Sequence, residues 1–145
     1  MNKKKINLTN IDDDVVDLVQ ELLELKGLTV VESTGSHPDQ IADWFIQFKI
    51  DHTTNGWRVI EFLAWLINHD LCIPGNGLMF YPYVTAPDMS HPGKGLRFNL
   101  SGLGGMSANE LAAIIRTKKA DHYATDKHGL LAFLSRRKGG GQLMF

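Results

Sequence analysis

Between residues 57 and 71 the chain reads WRVIEFLAWLINHDL, and Val59, Phe62, Leu63, Leu66 and Ile67 fall at i, i+3, i+4, i+7 and i+8. That period marks one face of a helix. Ile60 widens the stripe, Trp57 and Trp65 flank it, and only Arg58, Glu61 and Asn68 are clearly polar between residues 57 and 68. A helix that is apolar around most of its circumference is buried on more than one side. The pattern therefore predicts a central helix covered by a sheet and by another helix. Its start is marked by N-cap residue types in DHTTNG (51–56), and its stop by Pro74-Gly75-Asn76-Gly77.

The remaining elements follow from the same reading. Ile11, Val15, Leu18, Val19, Leu22 and Leu23 form the face of a first helix, which Thr9 or Asn10 can cap. Asp12, Asp13 and Asp14 match the dipole at its first turn, and Lys26 with Gly27 ends it. Residues 28–32 (LTVVE) are rich in β-branched side chains and read as a strand. STGSHPD (33–39) is a turn cluster. Trp44, Ile46, Phe48 and Ile50 then alternate with Phe45, Gln47, Lys49 and Asp51, the pattern of a strand with one buried face. A helix over 39–45 with Ser36 as its cap competes for the start of that strand.

After the central helix, residues 78–85 (LMFYPYVT) read as a strand that Pro82 confines to an edge or a bulge. Residues 86–95 form a loop, 96–100 (LRFNL) a strand and 101–105 (SGLGG) a flexible link. Ser107 and Glu110 have the spacing of a capping box, opening a helix with Leu111, Ile114 and Ile115 inward. Residues 121–125 interrupt it. Thr125 or Asp126 starts a last helix carrying Leu130, Leu131, Phe133 and Leu134, which Gly139-Gly140-Gly141 stops. The order is α-β-β-α-β-β-α-α. It predicts a single α+β domain with a four-stranded, mainly antiparallel sheet packed on the 57–71 helix, and residues 1–9 and 139–145 as mobile tails. Both αββ units carry Ser-His-Pro between their strands, at Ser36-His37-Pro38 and Ser90-His91-Pro92, the one trace of an internal duplication.

Composition narrows the class. A chain of 145 residues suits one domain, and 43% hydrophobic residues suffice for a core. The formal net charge of −1 marks neither a nucleic-acid binder nor an acidic solubiliser. The charge is uneven, however. Residues 1–70 hold six Lys/Arg against twelve Asp/Glu, and residues 116–145 hold seven against two. That asymmetry points toward a partner or toward self-association. Cys72 is the only cysteine, so no intramolecular disulfide forms. This fits a reducing compartment, and the position after a buried helix predicts an inert core thiol. No apolar run follows the basic MNKKKINLTN, against a secretory signal. The longest apolar run, residues 62–67, is too short to span a bilayer. The expectation is a soluble cytoplasmic protein that does not engage membranes.

Candidate chemistry is sparse. No two of the six histidines have metal-ligand spacing in sequence. A metal or hydrolase site would need His37, His52 and His91 to converge with Asp39 or Asp88; ordinary surface histidines are the competing account. Glu61 lies between Trp57 and Trp65 at i+4 spacing, where desolvation would suit a general acid or base. Pairing with Arg58 or with solvent is the plainer reading. Asp12–14 lacks the ligand spacing and loop glycine of a cation site. Gly102–105 before Ser107 could present amides to an anion, but no P-loop residues follow, so a hinge reads better. Ser101 lacks the first glycine of a nucleophile elbow. No cofactor is expected.

The element order, a central helix over 62–70 followed by a strand pair, the stretch Asn99-Leu100-Ser101-Gly102-Leu103 and the capped helix over 107–115 together resemble a known family. It is the small bacterial type III secretion-chaperone fold with its YbjN-like and sensory-transduction-like relatives. The resemblance spans about residues 12–117. It implies a dimer that binds a partner polypeptide on its surface and does no chemistry. The basic extension after Lys118, the long loops and the absence of a strongly acidic balance depart from that pattern, and bear on the secretion role more than on the fold.

The leading expectation is thus a non-enzymatic protein-binding module: a chaperone, adaptor or inhibitor of bacterial or phage accessory type. Trp44, Phe80, Tyr81, Tyr83 and Tyr123 are its candidate contacts, because aromatic anchors dominate interfaces. Plain core or sheet packing competes for each. The first alternative is nucleic-acid binding by a helix-turn-helix-like pair through Lys118, Lys119, Lys127, Arg136, Arg137 and Lys138. The second is a small metal-dependent hydrolase using His37, His52 and His91.

Overall fold

Alternation decides the strand at the centre of the chain. Trp44, Ile46, Phe48 and Ile50 are buried, Phe45 and Gln47 are half-buried and Lys49 is exposed, which is the period of a strand with one face on the core. The computed structural model describes residues 11–35, 40–85, 90 and 93–124, with residues 123 and 124 by their backbone alone. Four strands, β1 (Leu28–Thr34), β2 (Trp44–Ile50), β3 (Leu78–Val84) and β4 (Leu96–Gly102), form one sheet in the order β1-β2-β4-β3, with every neighbouring pair antiparallel. The helices are α1 (Val16–Leu23), entered through a 3-10 turn at Asp13–Val15, α2 (Thr54–Trp65) and α3 (Ala108–Ala124). This is an α+β fold with an antiparallel sheet, as the hydrophobic pattern predicts. Since β4 lies between β2 and β3, α2 carries the chain past one strand position to the far edge.

The inner face of the sheet supports the core. Leu18, Val19 and Leu22 of α1, and Val59, Phe62, Leu63, Leu66 and Ile67 of α2 and its continuation, are buried together with Ile46, Phe48 and Leu100. Phe48, Phe98 and Phe80 come from three adjacent strands, and their rings stack mutually at centroid separations of 5.8–6.1 Å. Such pairs contribute about 0.5–1.5 kcal/mol beyond the area they bury. The contacts divide the chain into two units, Met1–Ala112 and Ala113–Phe145. The sheet, α1, α2 and the first turn of α3 belong to the first. The described part of the second is the continuation of α3 to Ala124.

Helix boundaries follow local chemistry. Thr53 is extended (φ −133°, ψ 172°), and its hydroxyl accepts the Gly56 N–H at 3.4 Å, so α2 starts three residues before Trp57. At its other end α2 passes into a π turn, Leu66–Asp70, where the Leu71 N–H donates to the Leu66 carbonyl at 2.8 Å. The widened turn leaves Leu71 on the buried side and Cys72 exposed. Cys72 is therefore not a core thiol, contrary to expectation. The capping box closes reciprocally: the Glu110 N–H donates to Ser107 Oγ at 3.1 Å, and the Ser107 N–H donates to Glu110 Oε1 at 2.8 Å.

Three expectations change. Residues 40–43 are not helical, so β2 stands and the competing helix does not. Ser101 and Gly102 belong to β4 rather than to a link, because both pair with β2 and β3. A Cβ on Gly102 would come within 2.4 Å of Trp44 Nε1, so the indole lies over this position only because it is glycine. Finally, α3 runs unbroken through Asp121 to Ala124. The expected last helix and both expected tails lie outside the described residues. Among the described residues no helix is long and apolar enough to cross a membrane.

The ring stack sets a stability test. Phe48→Ala is expected to cost about 3–5 kcal/mol in urea unfolding. Phe45→Ala, three residues away on the opposite face, should cost less than half as much. Equal losses would show that the stack is not the centre of the core.

Candidate functional site

The outer face of the sheet is assembled from the odd-numbered residues of β2, β4 and β3, which the register aligns in rows. Phe45, Ser101 and Met79 form one row, and Gln47, Asn99 and Tyr81 the next. Arg97 pairs with Tyr83 in a third. β1 adds Thr34 beside Phe45 and Glu32 beside Gln47. The second row is a hydrogen-bonded chain. Gln47 Nε2 donates to Asn99 Oδ1 at 3.0 Å, and Asn99 Nδ2 donates to Tyr81 Oη at 3.2 Å. Asn99 is buried, and a buried amide left without partners costs free energy. The chain satisfies it and fixes the Tyr81 phenol on the surface.

β3 forms the edge of the sheet beside these rows. The Leu103 N–H donates to the Gly77 carbonyl at 3.0 Å, and the Thr85 N–H to the Gly95 carbonyl at 2.9 Å. With the β3–β4 register, these bonds put Met79, Tyr81 and Tyr83 in hydrogen-bonded pairs and turn the backbone of Leu78, Phe80, Pro82 and Val84 outward. Pro82 has no N–H to offer. The Leu78 N–H is taken by Asn76 Oδ1 at 2.9 Å. Two of the four outward positions are thus closed to a further strand.

Exposure sorts the candidate contacts. Met79, Tyr81 and Tyr83 are 59%, 39% and 47% exposed, and Val84 at the end of the strand is also exposed. Trp44 is 3% exposed on the inner face, with its indole N–H donating to the Met106 carbonyl at 3.1 Å. Phe80 is half-buried in the ring stack. Both have even parity in their strands and face inward, so Trp44 and Phe80 are core residues, contrary to their selection as contacts. The Tyr123 side chain lies outside the described residues. Met79 escaped selection for not being aromatic, although alternation along 78–85 sets it on one face with Tyr81 and Tyr83. Gln47 and Asn99 were identifiable by the same parity.

The alternative sites fare differently. Lys118 and Lys119 are half-buried on α3, while Lys127, Arg136, Arg137 and Lys138 lie outside the described residues. So do His37 and His91, with Asp39 and Asp88. His52 is exposed, its ring 5.8 Å from that of Trp57. Among the described residues no group of three or more His, Cys, Asp or Glu is placed to hold a metal ion. Glu61 is exposed, so it lacks the desolvation that the acid–base reading requires. In the glycine link, the Gly104 N–H donates to Asp43 Oδ2 at 2.8 Å and the Met106 N–H to the Asn76 carbonyl at 2.8 Å. Those amides serve the fold, and a carboxylate already stands where an anion would.

No protein-family model matches the chain, and no curated protein or solved structure is detectably similar to it.

The polar row yields a differential measurement. Tyr81→Phe removes the acceptor of Asn99 Nδ2 and should cost about 0.5–1.5 kcal/mol in urea unfolding. Tyr83→Phe should be nearly neutral. A loss for Tyr81→Phe no greater than for Tyr83→Phe would show that the row contributes nothing to stability.

Proposed function

We propose that this chain is a non-enzymatic protein-binding module, and that its contact surface is the outer face of the sheet along β3. The observation that carries the reading is the exposed run of Met79, Tyr81 and Tyr83 on one face. Methionine and tyrosine are enriched at interfaces, and tyrosine offers a large amphipathic area with few rotatable bonds. Tyr81 is already tethered through Asn99, so less ordering cost remains when it is covered. Because Pro82 and the Asn76 cap blunt the edge, the partner docks on side chains rather than adding a strand. The likeness to secretion chaperones suggests the same kind of work: a dimer holding another polypeptide as chaperone, adaptor or inhibitor. An exposed thiol at Cys72 suits work in the reducing cytoplasm.

The test compares the wild-type chain with Tyr81→Ser/Tyr83→Ser as bait in nuclease-treated lysate of the source organism. Sedimentation of the purified proteins reads self-association alongside. The wild type should retain a protein partner, or a second copy of itself, at near-equal amount. The variant should lose it, since an interface anchor contributes about 2 kcal/mol, roughly thirtyfold in affinity. Equal retention by both baits, or capture that nuclease abolishes, would overturn the reading.

A further inference from the structure

Where β2 runs toward α2, it faces the turn at residues 93–95 that leads into β4, and the two border an open cleft of about 340 Å³. Lys49, Asp51 and His52 line it from one side, and Gly93, Lys94 and Arg97 from the other. Among the described lining residues three cations meet one carboxylate, that of Asp51, in a chain whose formal net charge is −1. Gathering like charges at one cleft is unfavourable unless an anion neutralises them, and it raises the local concentration of anions. Arg97 is braced for the task. Its Nη1 donates to the Lys94 carbonyl at 3.0 Å and to the Leu96 carbonyl at 3.3 Å. Those bonds end on backbone, and among the described residues the Nε and Nη2 donors of the guanidinium remain to bind an oxyanion as a fork.

The cleft is also shaped on its far wall. Gly93 adopts φ +87°, and a Cβ there would lie 2.0 Å from His52 Cε1. The imidazole thus rests against the turn backbone and brings another polar ring to the rim. Ile50 and Leu96 add apolar lining. The volume reaches the range of small-molecule sites, roughly 300–1,000 Å³, and so has room for more than a bare phosphate ion.

We propose that this cleft binds a phosphate monoester of about mononucleotide size, with the phosphate held by Lys49, Lys94 and Arg97. The site borders the protein-binding surface proposed above, where Arg97 lies opposite Tyr83, but does not depend on that reading. Calorimetric titration of the full chain with AMP, adenosine and inorganic phosphate at low salt tests it. AMP should bind, adenosine should not, and inorganic phosphate should bind more weakly than AMP. Lys49→Gln, an exposed position that the fold does not need, and Arg97→Gln should each weaken AMP binding roughly tenfold or more. Lys26→Gln, an exposed charge elsewhere, should leave it unchanged. No AMP binding at about millimolar concentration would overturn the proposal. So would equal binding of adenosine and AMP, phosphate alone binding as tightly as AMP, or Lys26→Gln weakening binding as much as Lys49→Gln.

Discussion

Three phenylalanine rings hold β2, β4 and β3 to one another, and most of the molecule's order depends on that contact. Phe48 and Phe98 sit directly opposite in the ladder, and Phe80 reaches them from the next strand. Because side chains alternate along a strand, a slip of one residue in either ladder would turn a ring out of the core. The stack therefore fixes register as well as contributing burial. It also supports the apolar stripe of α2, whose Phe62 and Leu63 are fully buried.

What the stack fixes on one face it fixes by exclusion on the other. Once Phe48, Phe98 and Phe80 point inward, Gln47, Asn99 and Tyr81 must share a row outside, and their hydrogen bonds become available. Arg97 falls on the outer side of the same ladder, near the end of the sheet where Lys49 is also found. The exposed run on β3 and the basic cleft are thus two consequences of one inner-face arrangement. They differ in chemistry. The run is apolar and aromatic with a blunted edge, and the cleft is cationic and concave.

Features encoded within a few residues were legible in the sequence. The alternation of β2, the stripe of α2, the edge position of Pro82 and the capping box at Ser107 and Glu110 all rest on near neighbours. Features set by distant partners were not. Ser101 and Gly102 look like a flexible link until Trp44 and Phe45 pair with them. The π turn after Trp65 has no composition signal, and with it the placement of Cys72 was lost. The aromatic candidates divided by strand parity: Trp44 and Phe80 went inside, Tyr81 and Tyr83 outside. Parity could be read along each strand, but which parity faces the core depends on the helices that cover it. The basic cleft was illegible for a similar reason, since more than forty residues separate Lys49 from Lys94 and Arg97 in the chain.

The register of β1 shifts between Val30 and Glu32, so that Val31 is an extra residue opposite β2. Before it, Leu28 and Val30 lie opposite Ile50 and Phe48; after it, Ser33 lies opposite Ile46. Removing Val31 would restore strict alternation without moving any of these residues to the other face. A one-residue deletion inside β2 or β4 would instead invert everything beyond it. This edge strand is therefore the place in the sheet where the chain can change length by one residue and keep both of its surfaces.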